Sequence, residues 1–294
     1  MVQNHMPDDF VYCLAASPNF KKDGLVLAAK KSGLYRSTDK GRTWKDAFAS
    51  LNLSAPLPIT FAAVALAGEI TYSFACAAGQ ILRSLDAGQT WQVAALDTPA
   101  PLFTALVASP NFAQDGTLLA ATVQDGIFRS TDRGVTWTGW NFGLYDPNIN
   151  ALAFVDSQVI FAGTQSGIFR SSNAGRSWRD TDFPVEWAPV SCLAVSRDGT
   201  IFAGTEADGL YVSCDEGKTW EGLMEGTVEQ IHPDASGKLL ILKDRELRLS
   251  ENGGHSWQAA RPGFGPGSDI SAFTILPGTK SLLVGLSNGE IIKL

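Results

Sequence analysis

The sequence predicts an all-β fold: a seven-bladed β-propeller of four-stranded antiparallel blades, closed into a ring by the N-terminal strand joining the last blade. Three observations predict it. An eight-residue motif recurs six times at blade-like spacing. Short apolar runs with turn residues between them surround each copy. A seventh unit near the C-terminus stops one strand short of a full blade.

The motif reads S-x-D-x-G-x-T-W. Its first copy is Ser37, Thr38, Asp39, Lys40, Gly41, Arg42, Thr43 and Trp44. The others occupy residues 84–91, 130–137, 171–178, 213–220 and 250–257, and their starting serines are 47, 46, 41, 42 and 37 residues apart. A fixed period of this length is a signature of stacked supersecondary units. Before each motif comes a run such as Gly126-Ile127-Phe128-Arg129-Ser130. Further upstream are Leu118-Leu119-Ala120-Ala121-Thr122 and Ala105-Leu106-Val107-Ala108. A further run starts at the motif tryptophan, which makes four strands, or one blade.

The seventh unit covers Ile270-Ser271-Ala272-Phe273, a run from Ser281 and a last run from Gly289 to Leu294. Its third strand ends where a motif would begin. Residues 2–6 are expected to supply the missing strand and to remove an exposed edge. The whole chain, 1–294, is expected to be one propeller domain.

Within the motif, the Asp is expected to accept backbone N–H groups in an Asx-type turn. The Gly allows positive φ, and the Trp anchors the turn. Asn173 and Asn252 replace Asp in two copies. They keep the acceptor oxygen and lose the charge, so a structural role is expected for all six. Arg36, Arg83, Arg129 and Arg170 occupy one strand position and belong to the repeat. Ser17-Pro18-Asn19-Phe20 and Ser109-Pro110-Asn111-Phe112 each open an expected turn with a docked Phe.

This motif is the Asp-box, or BNR repeat, and the chain resembles the Asp-box propeller superfamily over nearly its whole length. That superfamily includes sialidases, xyloglucanase-type glycoside hydrolases, sortilin-like receptors and the photosystem II assembly propeller. The resemblance implies the fold, but one fold hosts many functions.

Composition narrows the functional classes. The net charge is −7, and no basic run exceeds Lys21-Lys22 or Lys30-Lys31. No nucleic-acid or membrane partner is expected. The four cysteines, Cys13, Cys76, Cys192 and Cys214, show no metal-site spacing; Cys13 and Cys192 share one repeat position and read as buried thiols. His232, placed in a turn, and His255, inside a motif, form no zinc or triad pattern. No cofactor is expected. The first ten residues carry no apolar core of signal-peptide length, so a cytoplasmic location is expected, and the chain is expected to be a monomer.

Successive strands are antiparallel, so the motifs share one face and the links between blades lie on the other. Those links vary from 9 residues (Trp220 to Glu229) to 18 (Trp44 to Ala62). Variable loops on a rigid frame commonly carry function. The candidate residues there are Trp140, Tyr145, Asp146, Glu186 and Trp187. Trp140 and Trp187 are the tryptophans outside the motifs. A second candidate set lines the channel: Tyr12, Thr104, Asn150, Ser191, Glu229 and Ser271, with Ala62 in the second unit. Glu229 is its only acid.

The expected function is a non-catalytic scaffold that presents this face to a protein partner. The alternative is a carbohydrate-binding or glycoside hydrolase-like protein. A sialidase resemblance would bring an arginine triad and an Arg-Ile-Pro segment. The chain has no Arg-Ile-Pro, and Arg245 and Arg261 do not make a triad. Xyloglucanase-type enzymes use two propellers; this chain has one.

Overall fold

The computed structural model describes residues 9–51, 53–97, 102–234, 236–260 and 269–294. They form seven small antiparallel sheets in a ring, each built from successive strands. Blade 1 consists of Val11–Ala16, Val26–Lys30, Gly33–Ser37 and Lys45–Asp46, from the channel outwards. Blades 2 to 6 repeat that order, with inner strands Ile59–Ala67, Leu102–Ala108, Ile149–Phe154, Val190–Val195 and Val228–Pro233. Blade 7 shows Ile270–Ile275, Leu282–Leu286 and Ile291–Lys293. The strand expected at residues 2–6 lies outside the described residues.

The core is divided among the seams between blades. Seven apolar clusters each join residues of two neighbouring blades. The ring therefore closes by burial as well: Val11, Leu14 and Phe20 of blade 1 pack with Ala272, Leu276 and Leu283 of blade 7. This follows from the second strands, such as Val26–Lys30 and Ile160–Thr164, which are buried along their whole length. A strand apolar on both faces needs a neighbouring sheet on each side.

The repeated turn is a hydrogen-bonded knot. Asp39 Oδ1 accepts from the amides of Arg42 (3.1 Å) and Thr43 (2.9 Å), and its Oδ2 accepts from the Thr43 hydroxyl (2.6 Å). Asp86, Asp132 and Asp215 repeat this pattern. Asn173 and Asn252 keep the amide contact, to Ser177 and Ser256. The residue after the acid is itself left-handed: Lys40, Ala87, Arg133, Ala174 and Glu216 have φ between 58° and 66°.

Each turn is also wedged against the preceding blade. A Cβ on Gly134 would lie 2.6 Å from Phe74, and one on Gly217 would lie 2.6 Å from Phe161. Trp91 Nε1 donates back to Ala47 O, and Trp178 Nε1 to Trp140 O, each at 3.0 Å. From the other side, Arg36 Nε of blade 1 donates to Ala87 O in the turn of blade 2 (2.6 Å). Arg83 Nε does the same to Arg133 O in blade 3 (2.7 Å). Lys293 holds the matching position in blade 7 and reaches Lys40 O of blade 1 at 3.2 Å. Arg36, Arg83 and Lys293 are thus latches across three of the seams.

Three local features differ from expectation. The segments after Ser17 and Ser109 form single helical turns, Phe20–Asp23 and Phe112–Asp115, with each Phe buried. Asp23 and Asp115 hold them by accepting Ser17 and Ser109 hydroxyls at 2.6 Å. His232 lies in the inner strand Val228–Pro233, against Phe273 at 5.6 Å, where burial lowers its pKa. A two-residue strand, Ala95–Leu96, in the link from blade 2 runs parallel to Thr136–Gly139 and covers the outer edge of blade 3. Cys13 is buried as expected, with its thiol pushed up to about 11 by burial, whereas Cys192, expected to be buried with it, is half-buried; Cys76 is buried and Cys214 exposed.

The carboxyls of Asp39 and Asp215 are held down to about 2, chiefly by the hydroxyls of Thr43 and Thr219. A carboxyl lowered on folding stabilises the fold above its unfolded value of roughly 3.9, and that contribution disappears as pH falls through the folded value. Urea midpoints measured between pH 5 and 2 should therefore fall (roughly the window these values set). Asp39→Asn with Asp215→Asn, which mimics Asn173 and Asn252, should show a shallower fall.

Candidate functional site

The two faces separate as the strand order requires. The amides of Lys40 and Arg133, in the repeated turns, donate to Gly24 O and Gly116 O after the first hairpin, each at 3.1 Å. These turns share one face. On the other, Gly126 N donates to Pro147 O (3.0 Å) and Ser166 N to Asp146 Oδ2 (2.9 Å). Links and second hairpins meet there.

Every inner strand enters from the link face and carries a bulge near its start. The bulged residues are Tyr12, Thr60, Thr104, Asn150, Ser191, Glu229 and Ser271. A bulge frees one residue from the ladder and re-aims its side chain. Thr60, not Ala62, is the member from blade 2. Ala62 is buried and pairs with Ala75, as Leu14 pairs with Ala28 in blade 1. The blade 2 strand is nine residues long and begins earlier relative to its apolar run, which displaced the alignment by two.

Three of the seven bulged residues form a second latch between blades. Thr60 Oγ1 donates to Phe103 O (2.8 Å), Thr104 Oγ1 to Ile149 O (2.5 Å) and Ser191 Oγ to Val228 O (2.5 Å). Each crosses to the next blade. Asn150 Nδ2 and Glu229 Oε2 have no hydrogen-bond partner among the described residues. Glu229 Oε1 accepts from Arg245 N at 3.1 Å. Burial pushes the Glu229 carboxyl up against that bond. Arg245 is engaged with Asp269 at 3.1 Å, and Arg261 lies outside the described residues.

The link into blade 4 sorts its candidates. Trp140 is half-buried, and the Arg129 guanidinium lies 5.4 Å from its ring centre. It covers the outer part of blade 3. Asp146 is buried and accepts from Asn148 N (3.1 Å) and Ser166 N (2.9 Å), so it fastens the link to the hairpin after Ile160–Thr164. Tyr145 is 67% exposed; its ring packs edge-on to Phe169 at 4.7 Å and its hydroxyl donates to Asp180. Phe142, not singled out from the sequence, is 80% exposed while its carbonyl accepts Trp178 N at 2.9 Å. The signal for it was the dense aromatic link Trp140-Asn141-Phe142-Gly143-Leu144-Tyr145.

In the next link, Glu186 is exposed and Trp187 is 80% exposed with φ 57°. A bulky residue in the left-handed region is strained, by about 1–2 kcal/mol. Strain and exposure together cost stability with no packing return, a combination that gathers at functional positions. Phe183 earlier in that link turns inwards, onto Tyr211 and Trp220. Among the described residues no group of three or more His, Cys, Asp and Glu side chains is placed to hold a metal ion, and no helix is long and apolar enough to cross a membrane.

The chain is a seven-bladed β-propeller, and known structures share that ring. It is similar to the GH74 xyloglucanase from Xanthomonas campestris at 20% identity and TM-score 0.78, over 97% of this chain and 52% of that one. It is similar to the extracellular domain of the one-component system BT4673 from B. thetaiotaomicron at 16% identity and TM-score 0.75, over 97% and 38%. It is similar to YCF48, in a complex with a D1 peptide, at 15% identity and TM-score 0.71, over 98% and 92%. The chain thus spans about half the length of the glycoside hydrolases it matches. No family description and no curated protein sequence matches it.

Glu229→Gln tests the one acid of the ring. A carboxyl whose pKa is raised on folding favours the fold while protonated and loses that advantage as pH rises through the folded value. The amide keeps an oxygen for Arg245 N and removes the buried charge. Thermal midpoints of the variant should exceed wild type at pH 7, and the difference should vanish below about pH 4.

Proposed function

We propose that this chain is a non-catalytic scaffold that presents the link face, around blades 4 and 5, to a protein partner. The observation that carries this reading is the exposure of Phe142, Tyr145 and Trp187 on two consecutive links, with Trp187 in a strained backbone conformation. Aromatic side chains held rigidly and unburied are typical anchors of protein interfaces. Trp140 and Asp146 support the surface from beneath, Glu186 lies beside the anchor, and Glu229 stands at the channel mouth. The near full-length likeness to YCF48, whose structure contains a bound peptide, favours this reading. We also read the repeated turn as the Asp-box and the chain as a monomer that binds neither nucleic acid nor membrane.

The second reading is carbohydrate binding. Tyr145 beside Asp180 could stack on a sugar ring while the acid accepts a hydroxyl, and the likeness to GH74 propellers favours it. The hydrolase variant of this reading needs two carboxyls across a cleft, roughly 5–9.5 Å apart.

Immobilised wild type, Trp187→Ala and a control on the opposite face, Glu216→Ala, separate the readings. Wild type and Glu216→Ala should retain a stoichiometric protein from native lysate, and Trp187→Ala should lose it, as a central anchor worth about 2 kcal/mol or more would dictate. Retention by all three, or by none, rejects docking through Trp187; selective glycan retention on an array would then support the second reading. Trp187→Gly adds a stability readout. Relief of the left-handed strain should raise the unfolding free energy by roughly 0.5–1 kcal/mol, while partner capture is lost as in Trp187→Ala.

A further inference from the structure

The latches across the seams are not uniform, and one departure lies beside a cavity. A basic side chain occupies the same third-strand position in blades 1, 2, 3, 4 and 7: Arg36, Arg83, Arg129, Arg170 and Lys293. Arg36, Arg83 and Lys293 reach the carbonyl of the left-handed residue in the next turn. Arg170 instead pairs with the side chain of that residue, Glu216, at 2.6 Å. Arg129 lies over Trp140. In blade 5 the position is Val212, opposite Phe202 in the same register, and in blade 6 it is Leu249, which faces blade 7, where no repeated turn is among the described residues. The turn it faces, in blade 6, has Gly253 at the acceptor position, and no hydrogen bond to the Gly253 carbonyl is made among the described residues.

Where the latch is missing, the seam between blades 5 and 6 opens into a cavity of about 620 Å³. Val212, Phe202 and Leu239 form its apolar floor, and Gly253 lies on its wall. Asp198, Glu221 and Asp234 bring three carboxylates to the lining, beside the guanidinium of Arg197 and the imidazole of His255. The groove at the neighbouring seam, between blades 4 and 5, is lined by Arg170 itself, already paired with Glu216. So, among the seams whose following turn is described, the one after blade 5 lacks the cation that its acceptor position, by analogy with three other seams, is shaped to take.

We propose that this cavity binds a guanidinium group from outside the chain, an arginine side chain presented on a peptide segment. Its N–H groups would donate to the Gly253 carbonyl, as Arg36 and Arg83 donate to their turns. Its alkyl stem would lie on Val212 and Leu239, and its charge would face Glu221 and the two aspartates. A guanidinium suits this better than an ammonium because its planar fork serves a carbonyl and a carboxylate at once. The site lies on the face of the repeated turns, away from Trp187, and does not depend on docking there.

Cys214 gives the readout. It lines the cavity and is exposed, while Cys13 and Cys76 are buried and Cys192 is half-buried. The rate of its alkylation by iodoacetamide, mapped by peptide mass spectrometry, should fall several-fold with acetyl-Gly-Arg-Gly-amide at roughly 10 mM, a concentration that saturates a weak single-residue contact. The citrulline peptide, isosteric and uncharged, should leave the rate unchanged. Val212→Arg should fill the cavity from within: slow alkylation without peptide, no further response to it, and a raised thermal midpoint. Glu221→Gln, at an exposed position, should weaken protection without altering the fold. Trp187→Ala should leave protection intact, so failure of the docking reading does not touch this result. Equal protection by the citrulline peptide, no protection of wild type, or a Val212→Arg protein that still responds to the arginine peptide would each overturn the proposal.

Discussion

The seam between adjacent blades is the constraint on which the rest of this propeller depends. Each blade is a narrow sheet whose second strand is buried on both faces, so no blade has a core of its own. Apolar burial drives the sheets together at about 25 cal/mol per Å², but burial alone is non-directional. Register comes from the repeated turn. Its glycine permits contact as close as that of Gly134 with Phe74, its tryptophan reaches back, and a basic side chain reaches forward from the blade before. At the opposite end of the channel, the hydroxyls of Thr60, Thr104 and Ser191 tie the inner strands in the same sense. Two sets of polar contacts, each crossing three seams, thus restrain the radius and the rotation that apolar contact leaves free.

That division of labour explains what was legible in the sequence. Residues that answer to the backbone of their own turn carry a local pattern: Asp39 with Thr43, Asn173 with Ser177. These repeats mark six of the seven blades and the face of the turns. The seam contacts join residues far apart in the chain, so the sequence marked Arg36 as repetitive without revealing Ala87 O as its partner. The misplacement of Ala62 has the same origin. Apolar runs align easily on one another, whereas a bulge, which decides which side chain faces the channel, leaves no fixed residue type: Tyr12, Thr60, Asn150 and Glu229 all occupy it. His232 was misplaced because a strand ending in Pro233 looks like a turn.

The site candidates divide along a similar line. Asp146 and Trp140 were singled out for residue type and loop position, and both hold the link to the frame. Phe142 was passed over because exposure of an aromatic cannot be read from a neighbour list: its backbone supports Trp178 while its ring stands in solvent. Trp187 was marked by its place outside the repeat, but its left-handed φ is visible only in three dimensions. An aromatic residue that the repeat does not need, on a backbone conformation that costs energy, is the strongest departure from repeat logic on the link face.

The missing latch is its counterpart on the turn face. Repeats allow each position to be judged against its equivalents, so a substitution becomes informative through what its neighbours retain. Val212 alone would be an unremarked strand valine. Beside Arg36, Arg83, Arg170 and Lys293 it is an absent cation, and the carbonyl of Gly253 is an absent cation's acceptor. An apolar filling of the same gap would have closed the seam at no electrostatic cost. Instead three acids stand in the lining, with Asp198 and Asp234 each accepting backbone amides that fix their orientation. Three carboxylates beside an open acceptor keep the electrostatic demand of the absent side chain while leaving its volume free, and such a combination is met by supplying the cation from a second molecule.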